Sequence, residues 1–560
     1  MMESAAEFCL ARASWQPMIF AEDPRRSDLL GLKPDWPVGP VRIAVLRNQP
    51  FEFVASVLTP FLAFSGWMPE FTYSAYSDTL DFEPAADTGL ILVWLDFDRY
   101  QLDGDALLSW ISERLAGLRR ATDVNVLITD WVGPGERVAL VNAGLRQIAR
   151  DLPGVYVADQ SGIGARLGSA YRDARTARIA GTTISDRASI ATARQLGLAW
   201  LPALLEPGIK AVAVDLDGTL YGGVLGEDGP RGIAVSPAHL ELQHHLLALK
   251  RSGVFLAALS RNDPQDVHGL FDERTDLALG LDDFSVVVAS WDSKADGLRR
   301  IARELRIGEE AILLVDDNPG ELAAVATEFP TIRCLHAADP ALTARAMTMF
   351  PGLFRFSVSV SDRARVADLK AAAQRNDAML RSQDPMAYLR SLEVELTLAV
   401  DDRAHVSRLS ELSSKTNQFN TGLSRLSPAQ VASYMGDSQR HAVSIALADR
   451  LSDSGIIGAV FTRRQGARLI VDEIAISCRA LGRGLETIMI GEAVRRAGGG
   501  ATLTEVVFRL TPGPRNEPAR AWLAQVAGPF DPDAGEVLVP WTSLAQMPDA
   551  VSIRSPEKAA

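Results

Sequence analysis

The sequence has few cysteines and no long apolar run. Cys9, Cys334 and Cys478 are the only cysteines in 560 residues, and their wide spacing excludes a dense disulfide framework or a cysteine-rich zinc site. No apolar run approaches the roughly 20 residues that a membrane-spanning helix needs. The first residues carry Glu3 and Glu7 and lack the basic stretch and apolar core of a signal peptide. We therefore expect a cytoplasmic protein with no membrane partner.

Histidine and positive charge are also scarce. The first of the seven histidines is His239, so a Ser–His hydrolase centre cannot be built within the preceding residues. Lys and Arg total 57 against 70 Asp and Glu, which gives a net charge of −13. This balance argues against a nucleic-acid partner, because phosphate neutralisation needs clustered basic residues. Solubility is the simplest role of the acidity.

The chain is longer than one hydrophobic core usually serves, so we expect about three or four domains. Residues 1–40 are polar and interrupted by proline, and we expect them to form a loose N-terminal arm. Residues 41–205 alternate short apolar runs with helical stretches, which predicts a parallel sheet covered on both faces. The predicted strands are 41–46, 90–95, 124–129 and 155–158, and the predicted helices are 53–64, 105–118, 136–149 and 186–196.

Two further domains are expected. A Glu-Pro-Gly turn signal opens a second α/β pattern at residues 206–345. Residues 346–392 are charged, alanine-rich and helical in period, which predicts a helical linker. Residues 393–550 begin with a strand and two helices, so the expected fold class is α/β in three domains. The later elements predicted there are strands 442–448, 456–461, 469–476 and 506–510 and a helix at 485–496.

Two aspartates directly follow the predicted strand 211–214. Asp215 and Asp217 can both project into the crevice above the sheet, because open α/β sheets bind ligands at the carboxyl ends of their strands. Phosphate transfer calls for such a pair. One carboxylate attacks phosphorus, and the other protonates the leaving oxygen and then activates water. Thr219 lies beside them as a candidate phosphate-binding hydroxyl.

Later positions complete the set. Ser260 ends an apolar run, where its hydroxyl can hold a phosphoryl oxygen. Lys294 begins a predicted helix and can offset charge on the transferring group. Asp316 and Asp317 follow the predicted strand 311–315, where carboxylates complete an oxygen shell for Mg²⁺. The strand-terminal order of these groups predicts a magnesium-dependent phosphate-transfer site with Asp215 as the covalent nucleophile.

This order of motifs resembles that of the haloacid-dehalogenase (HAD) superfamily. The resemblance implies Asp215 as nucleophile, Asp217 as general acid/base, and Ser260 and Lys294 as phosphate binders. It also implies that Asp215 and Asp316 hold Mg²⁺ together with Asp217, the last through its backbone carbonyl. Only about 40 residues separate the first motif from Ser260, too few for a separate cap domain. We therefore expect an open site with a minimal cap, suited to a phosphate on a large or protein-tethered group.

Longer motifs resemble those of the FkbH-like proteins. They are D-L-D-G-T-L-Y-G-G-V-L-G-E-D-G from position 215, S-R-N-D from 260, V-D-D-N-P from 315 and K-T-N-Q-F-N from 415. The resemblance covers roughly residues 40–550 and implies an SGNH-like first domain, here degenerate because it has no histidine. It further implies transfer of a glyceryl unit from a phosphorylated glycerate to an acyl carrier protein. Gly218, Tyr221 and Leu259 stand where the family usually has Asn, Trp and Cys.

The third domain contains R-x-x-G-x-G from position 479, between an apolar strand and a helix. Backbone N–H groups at such a helix start bind pyrophosphate, and Gly482 and Gly484 allow close approach. The segment resembles the acyl-CoA loop of GNAT acetyltransferases, which implies a mixed sheet and pantetheine binding. Cys478, beside Arg479, is a candidate thiol for holding an acyl group, or else a buried small hydrophobe. Asn417 is a candidate substrate contact, or else a capping residue.

The sequence therefore predicts an HAD-type phosphoryl and acyl transferase with Mg²⁺ as cofactor. It would dephosphorylate a small phosphorylated acyl or glyceryl donor and load the unit onto an acyl carrier protein in secondary-metabolite biosynthesis. One alternative is a phosphatase or acyltransferase acting on a sugar or polysaccharide precursor. Another is a non-enzymatic scaffold that only binds a phosphate ligand. The acidic set Asp215, Asp217 and Asp316 argues against the scaffold.

Overall fold

The structure, a computed structural model, divides the chain into two compact units, Met1–Val358 and Ser359–Ala560. None of the described helices is both long and apolar enough to cross a membrane. The described residues are 2–76, 80, 84–357, 368–369, 371, 374–375, 385–466, 468–499, 505–545 and 551–555.

The first unit contains a parallel sheet in its N-terminal half. Its strands lie in the order β2-β1-β3-β4-β5, and every pairing is parallel. Strands β1, β3, β4 and β5 were predicted, whereas the edge strand β2 was missed because Pro69 within it argues against a strand. The bounds are β1 Gly39–Arg47, β2 Trp67–Tyr73, β3 Leu90–Trp94, β4 Val126–Thr129 and β5 Val155–Ala158.

A second parallel sheet follows, in the order β10-β9-β6-β7-β8. Its central strand β6 is buried along its whole length, as expected for a strand covered by helices on both faces. Apolar side chains from both sheets belong to one continuous core, which explains why the two sheets form a single unit. The bounds are β6 Ala211–Val214, β7 Phe255–Ser260, β8 Val286–Ala289, β9 Ile312–Asp316 and β10 Arg333–His336.

Helices connect these strands, as the alternating pattern predicted. The four helices predicted in residues 41–205 are present with ends shifted by three residues or fewer. The helices are α1 Met2–Ile19, α2 Arg26–Leu30, α3 Glu52–Phe64, α4 Gly104–Ala121, α5 Glu136–Asp151, α6 Gln160–Leu167, α7 Ala174–Ala180, α8 Asp186–Gln195, α9 Pro202–Leu205, α10 Leu225–Gly232, α11 Pro237–Arg251, α12 Pro264–Glu273, α13 Lys294–Leu305, α14 Pro319–Glu328 and α15 Pro340–Met347.

The expectation of a loose N-terminal arm was wrong. Residues 2–19 form helix α1, which packs against α14 and β10 of the second sheet. Trp15 and Ile19 are buried there, and the Gln16 side chain accepts a hydrogen bond from the backbone of His336 at 3.2 Å. The pattern hid this helix because its apolar positions do not gather on one face and Pro17 lies inside it.

The second unit is built on a mixed sheet, in the order β17-β16-β15-β14-β13-β11-β18, with β12 paired to β15. Two pairings are parallel, β11 with β18 and β15 with β16, and the others are antiparallel. The predicted α/β class is thereby confirmed. The strands are β11 Val394–Val400, β12 Phe419–Asn420, β13 Arg440–Asp449, β14 Ser452–Gln465, β15 Arg468–Ile476, β16 Glu505–Arg509, β17 Glu536–Pro540 and β18 Val551–Arg554.

The helices of this unit lie on both faces of the sheet, as two separate apolar clusters show. The linker predicted for residues 346–392 falls largely outside the described residues, and the domain boundaries proposed above stay predictions. The described helices are α16 Pro385–Leu392, α17 Val406–Lys415, α18 Pro428–Met435, α19 Glu486–Ala497, α20 Glu517–Ala527 and α21 Trp541–Leu544.

Candidate active site

Three predicted site residues meet at the carboxyl edge of the second sheet. Asp215 directly follows the central strand β6, Ser260 ends β7 on one side, and Asp316 ends β9 on the other. Because all five strands are parallel, these ends share one edge, where open α/β sheets bind ligands. The sheet order thus brings together groups that are far apart in the sequence.

A cluster of three carboxylates lies at this edge. Oxygen atoms of Asp215, Asp316 and Asp317 lie within 4.8 Å of one another, the one such potential metal-binding group among the described residues. Asp215 and Asp316 are buried, and Asp317 is half-buried. Three carboxylates this close repel one another, and Mg²⁺ prefers oxygen ligands. The donor set therefore fits Mg²⁺, and it includes both Asp316, which ends strand β9, and Asp317, which directly follows it.

Lys294 supplies positive charge to the same cluster. Its ammonium lies 3.0 Å from Asp215 Oδ1 and donates to Asp316 Oδ2. Burial alone would lower the pKa of Lys294, but the two carboxylates outweigh it and the pKa is raised. Burial raises the pKa of Asp215 to about 7, an effect that Lys294 opposes and Asp316 reinforces. Lys294 thus stays charged beside the candidate nucleophile.

Asp217 does not belong to this cluster. Its Oδ1 accepts hydrogen bonds from the Tyr221 hydroxyl at 2.8 Å and the Leu225 backbone N–H at 3.1 Å. Its Oδ2 accepts one from the Asn262 side chain at 2.8 Å. Three hydrogen-bond donors therefore orient the Asp217 side chain, and its carboxylate is not part of the cluster formed by Asp215, Asp316 and Asp317. A metal contact through the Asp217 backbone carbonyl stays a prediction.

Two predicted phosphate-binding hydroxyls are buried at the site. Ser260 Oγ accepts a hydrogen bond of 2.9 Å from Asn262. Thr219 is only 1% exposed, and its Oγ1 has no hydrogen-bond partner among the described residues. A buried hydroxyl without a partner is costly, so its position is best explained by a polar ligand that completes the bond.

Asn262 and Tyr221 were not among the predicted site residues. Asn262 is buried and bridges Asp217 and Ser260, and the S-R-N-D motif was the available signal for it. The left-handed backbone at Gly218, with φ of 68°, brings the chain so close to Asp317 that an added Cβ would lie 2.3 Å from its Oδ2. Glycine is therefore suited to this position.

Replacing Asn262 by Ala should lower kcat by about tenfold or more with little change in KM, because Asp217 and Ser260 lose the group that orients them. Steady-state kinetics with acetyl phosphate would test this. An unchanged kcat would show that the bridge has no part in positioning Asp217.

Metal affinity should depend on pH. Below the pKa of about 7 the Asp215 carboxyl is protonated and cannot bind a cation, so Mg²⁺ affinity should rise as pH rises to about 7 and level off above it. The expected slope is about tenfold per pH unit for one displaced proton. Calorimetric Mg²⁺ titrations at several pH values would measure it. The slope should disappear in Asp215→Asn, and a slope that persists there would assign the proton to another group.

The candidate acyl-binding residues of the second unit lie mostly in one turn. Cys478, Arg479, Gly482 and Gly484 lie between β15 and α19, and both glycines have positive φ. The Gly482 N–H donates to the Glu486 side chain at 3.0 Å, so a phosphate would have to displace that carboxylate.

The remaining candidate residue, Asn417, has a protein partner. Asn417 accepts a hydrogen bond of 2.6 Å from Arg425, whose guanidinium also caps the last carbonyls of α17. Arg483, within the same turn as Gly482, points into a buried ion network. Cys478 is half-buried. The pantetheine role of the turn and of Asn417 stays a prediction.

No family model matches the chain, and no curated protein matches it. Solved structures do resemble parts of it. The N-terminal part of BF1531 from Bacteroides fragilis, described as containing a phosphatase domain complexed with Mg, is 19% identical over 60% of this chain and 99% of that one, with a TM-score of 0.45. A putative HAD family hydrolase from Streptomyces avermitilis is 19% identical over 26% of this chain and 92% of that one, with a TM-score of 0.19.

Acetyltransferases also resemble part of the chain. A chimera of the spermidine N-acetyltransferase SpeG from Vibrio cholerae is 14% identical over 27% of this chain and 99% of that one, with a TM-score of 0.20. At these identities and TM-scores the likeness establishes no function. The functional assignment therefore depends on the geometry at the edge of the second sheet.

Proposed function

We propose that the chain is an Mg²⁺-dependent enzyme of HAD type that transfers a phosphoryl group to Asp215 and then to water. The observation that carries the proposal is the buried group of Asp215, Asp316, Asp317 and Lys294 at the carboxyl edge of a parallel sheet. Thr219 supports it, because its buried hydroxyl lacks a partner that a phosphoryl oxygen would supply. When bound, Mg²⁺ supplies charge that offsets the phosphoryl oxygens.

The residues divide the chemistry between them. A carboxylate oxygen of Asp215 attacks phosphorus, the bond to the leaving oxygen breaks, and Asp217 donates a proton to that oxygen. Asp217 then takes a proton from water, whose oxygen attacks phosphorus, and the bond to Asp215 breaks to release phosphate. Lys294 stabilises the charge on the transferring group. The contacts from Tyr221 and Asn262 hold Asp217 in place for both steps.

The substrate and acceptor form the finer part of the proposal. We propose that a phosphorylated glyceryl or other small acyl donor loses its phosphate and that the unit passes to an acyl carrier protein in secondary-metabolite biosynthesis. The FkbH-like motifs support it, as does the glycine-containing turn after β15.

The test is the intact mass of a pantetheinylated acyl carrier protein incubated with the chain, Mg²⁺ and 1,3-bisphosphoglycerate. Gain of one glyceryl unit that is lost in Asp215→Asn would support carrier loading. Phosphate release without a mass change would favour the sugar-directed alternative. Absence of phosphate release from any donor would favour the scaffold.

Two exposed apolar side chains flank the site. Trp291 is 75% exposed and follows Ser290, whose N–H donates to the Ser260 carbonyl at 3.1 Å. Val224 is also exposed and precedes Leu225, whose N–H contacts Asp217. Apolar groups at both positions favour a substrate with carbon surface next to its phosphate.

Trp291→Ala should therefore raise KM for p-nitrophenyl phosphate by about fivefold to tenfold and leave KM for acetyl phosphate unchanged, because only the first has a ring to contact. Ile179→Ala is a matched control. Ile179 is also an exposed apolar residue, 87% exposed, but it lies on helix α7, in the part of the first unit that contains the first sheet. Equal changes for both substrates would argue against contact with the ring.

A further inference from the structure

The second unit contains a cavity that none of the preceding assignments uses. Its volume is about 360 Å³, within the range of small-molecule sites. Three arginines line it, Arg440 from β13, Arg463 from β14 and Arg509 from β16. A gathering of three arginines stands out in a chain whose net charge is −13.

Asp472 orients two of these arginines. Its Oδ1 accepts a hydrogen bond of 2.9 Å from Nε of Arg463 and lies 3.7 Å from Nε of Arg509. The Tyr434 hydroxyl donates to its other oxygen at 2.5 Å. Because Asp472 binds the Nε edges, the terminal nitrogens of both guanidiniums remain available to a ligand, in the fork geometry that suits an oxyanion.

The backbone explains how Asp472 reaches this position. Phe461 of β14 pairs with Glu473, and the next residue, Thr462, pairs with Val471, so Asp472 is the extra residue of a β-bulge. Bulges are common beside functional sites because they redirect a side chain. A surface ion pair alone would not need this local change of register.

The remaining wall of the cavity is aromatic and apolar. Arg440 lies over the Tyr434 ring at 5.2 Å, and Phe461 and Leu426 line the cavity beside it. The other acidic residue at the cavity is Glu473, which is fully buried and accepts hydrogen bonds from the Asn420 side chain and the Ser424 N–H. Three arginines and two carboxylates, Asp472 and Glu473, therefore line the cavity, an excess of one positive charge, and Arg440 also lies 3.4 Å from Asp437.

We propose that this cavity binds a small molecule through an oxyanion group, phosphate or carboxylate, held by Arg463, Arg509 and Arg440. The uncharged part of the ligand packs against Phe461 and Leu426. The site belongs to the second unit and does not depend on phosphate transfer at Asp215. It gives the mixed-sheet unit a ligand of its own, with the chemistry of a phosphorylated or carboxylated metabolite.

Hydrogen exchange read by mass spectrometry tests the site in the full-length chain, with inorganic phosphate as the probe and EDTA present. Phosphate should slow exchange in peptides spanning residues 424–440, 461–473 and 505–511. Peptides spanning residues 211–222 and 255–262 report separately on the Asp215 site, so failure of one site is distinguishable from failure of the other.

The variants are Arg463→Gln and Arg509→Gln, and each should weaken the phosphate effect by about tenfold, the value of one charge-assisted hydrogen bond. Arg468→Gln is the control, because Arg468 is exposed on β15 and does not line the cavity. If Arg463→Gln speeds hydrogen exchange in the second unit even without phosphate, the result for Arg509→Gln decides the question, because the Arg509 side chain is half-exposed. Absence of protection in the wild type, or full protection in Arg509→Gln, would overturn the proposal.

Discussion

Asp215→Asn should abolish phosphate release, with a loss of about a thousandfold or more in kcat/KM. The amide is nearly the same size as the carboxylate but lacks the charge and the nucleophilic oxygen that attack phosphorus. The substitution also removes one of the three carboxylates that fit Mg²⁺ and one of the two carboxylates that form ion pairs with Lys294. Release of phosphate from acetyl phosphate in the presence of Mg²⁺ measures the effect.

Asp292→Asn is the matched control for this variant. Asp292 is exposed, lies two residues before Lys294 and belongs to none of the carboxylate contacts described above. Its activity should stay within about twofold of the wild type, as expected for a surface substitution. Comparable losses in both variants would mean that general acidity near the site, and not the Asp215 carboxylate, determines activity.

Arg483→Met should destabilise the second unit by about 3–5 kcal/mol, the usual cost of leaving a buried charge without its partner. The Arg483 side chain is only 5% exposed and lies 3.0 Å from Asp449 and 3.7 Å from Asp368. It also donates to the Arg479 carbonyl at 2.9 Å, inside the turn after β15. Burial lowers the pKa of Arg483, and the nearby Arg375 lowers it further, while the two aspartates oppose the shift.

Hydrogen exchange in peptides from β13 to β15 under increasing denaturant gives the stability of this unit in the full-length chain. Arg468→Met is the control, because Arg468 is exposed at the start of the same strand β15. It should change the free energy of unfolding by no more than about 0.5 kcal/mol. A similarly small effect of Arg483→Met would show that Asp449 is satisfied by Arg375 alone.

The sequence predicted that the site lies at the carboxyl edge of the second sheet, because Asp215, Ser260 and Asp316 each directly follow or end a buried apolar strand. Asp215, Ser260 and Asp316 were placed by that rule, and the observed order of β7, β6 and β9 puts them side by side. Lys294 was expected at a helix start and begins α13. The local rule succeeded because parallel strands all present the same end to the site.

Contacts between distant segments could not be predicted in this way. Asn262 bridges Asp217 and Ser260 only because the loops after β6 and β7 converge. Cys9 and Leu322 are far apart in the sequence, yet α1 brings the thiol of Cys9 within 3.8 Å of the Leu322 carbonyl, to which it donates. The R-x-x-G-x-G pattern gave no indication that Arg483 points inward, because its partner Asp449 lies on another strand.

Trapping of the covalent intermediate tests the central claim most directly. The chain is mixed with Mg²⁺ and acetyl phosphate, quenched with borohydride, which reduces an aspartyl phosphate to homoserine, and digested for mass spectrometry. Homoserine is expected at position 215 and at neither Asp217 nor Asp316. Phosphate release with no homoserine at position 215, or with homoserine at another aspartate, would contradict the assignment of Asp215 as the nucleophile.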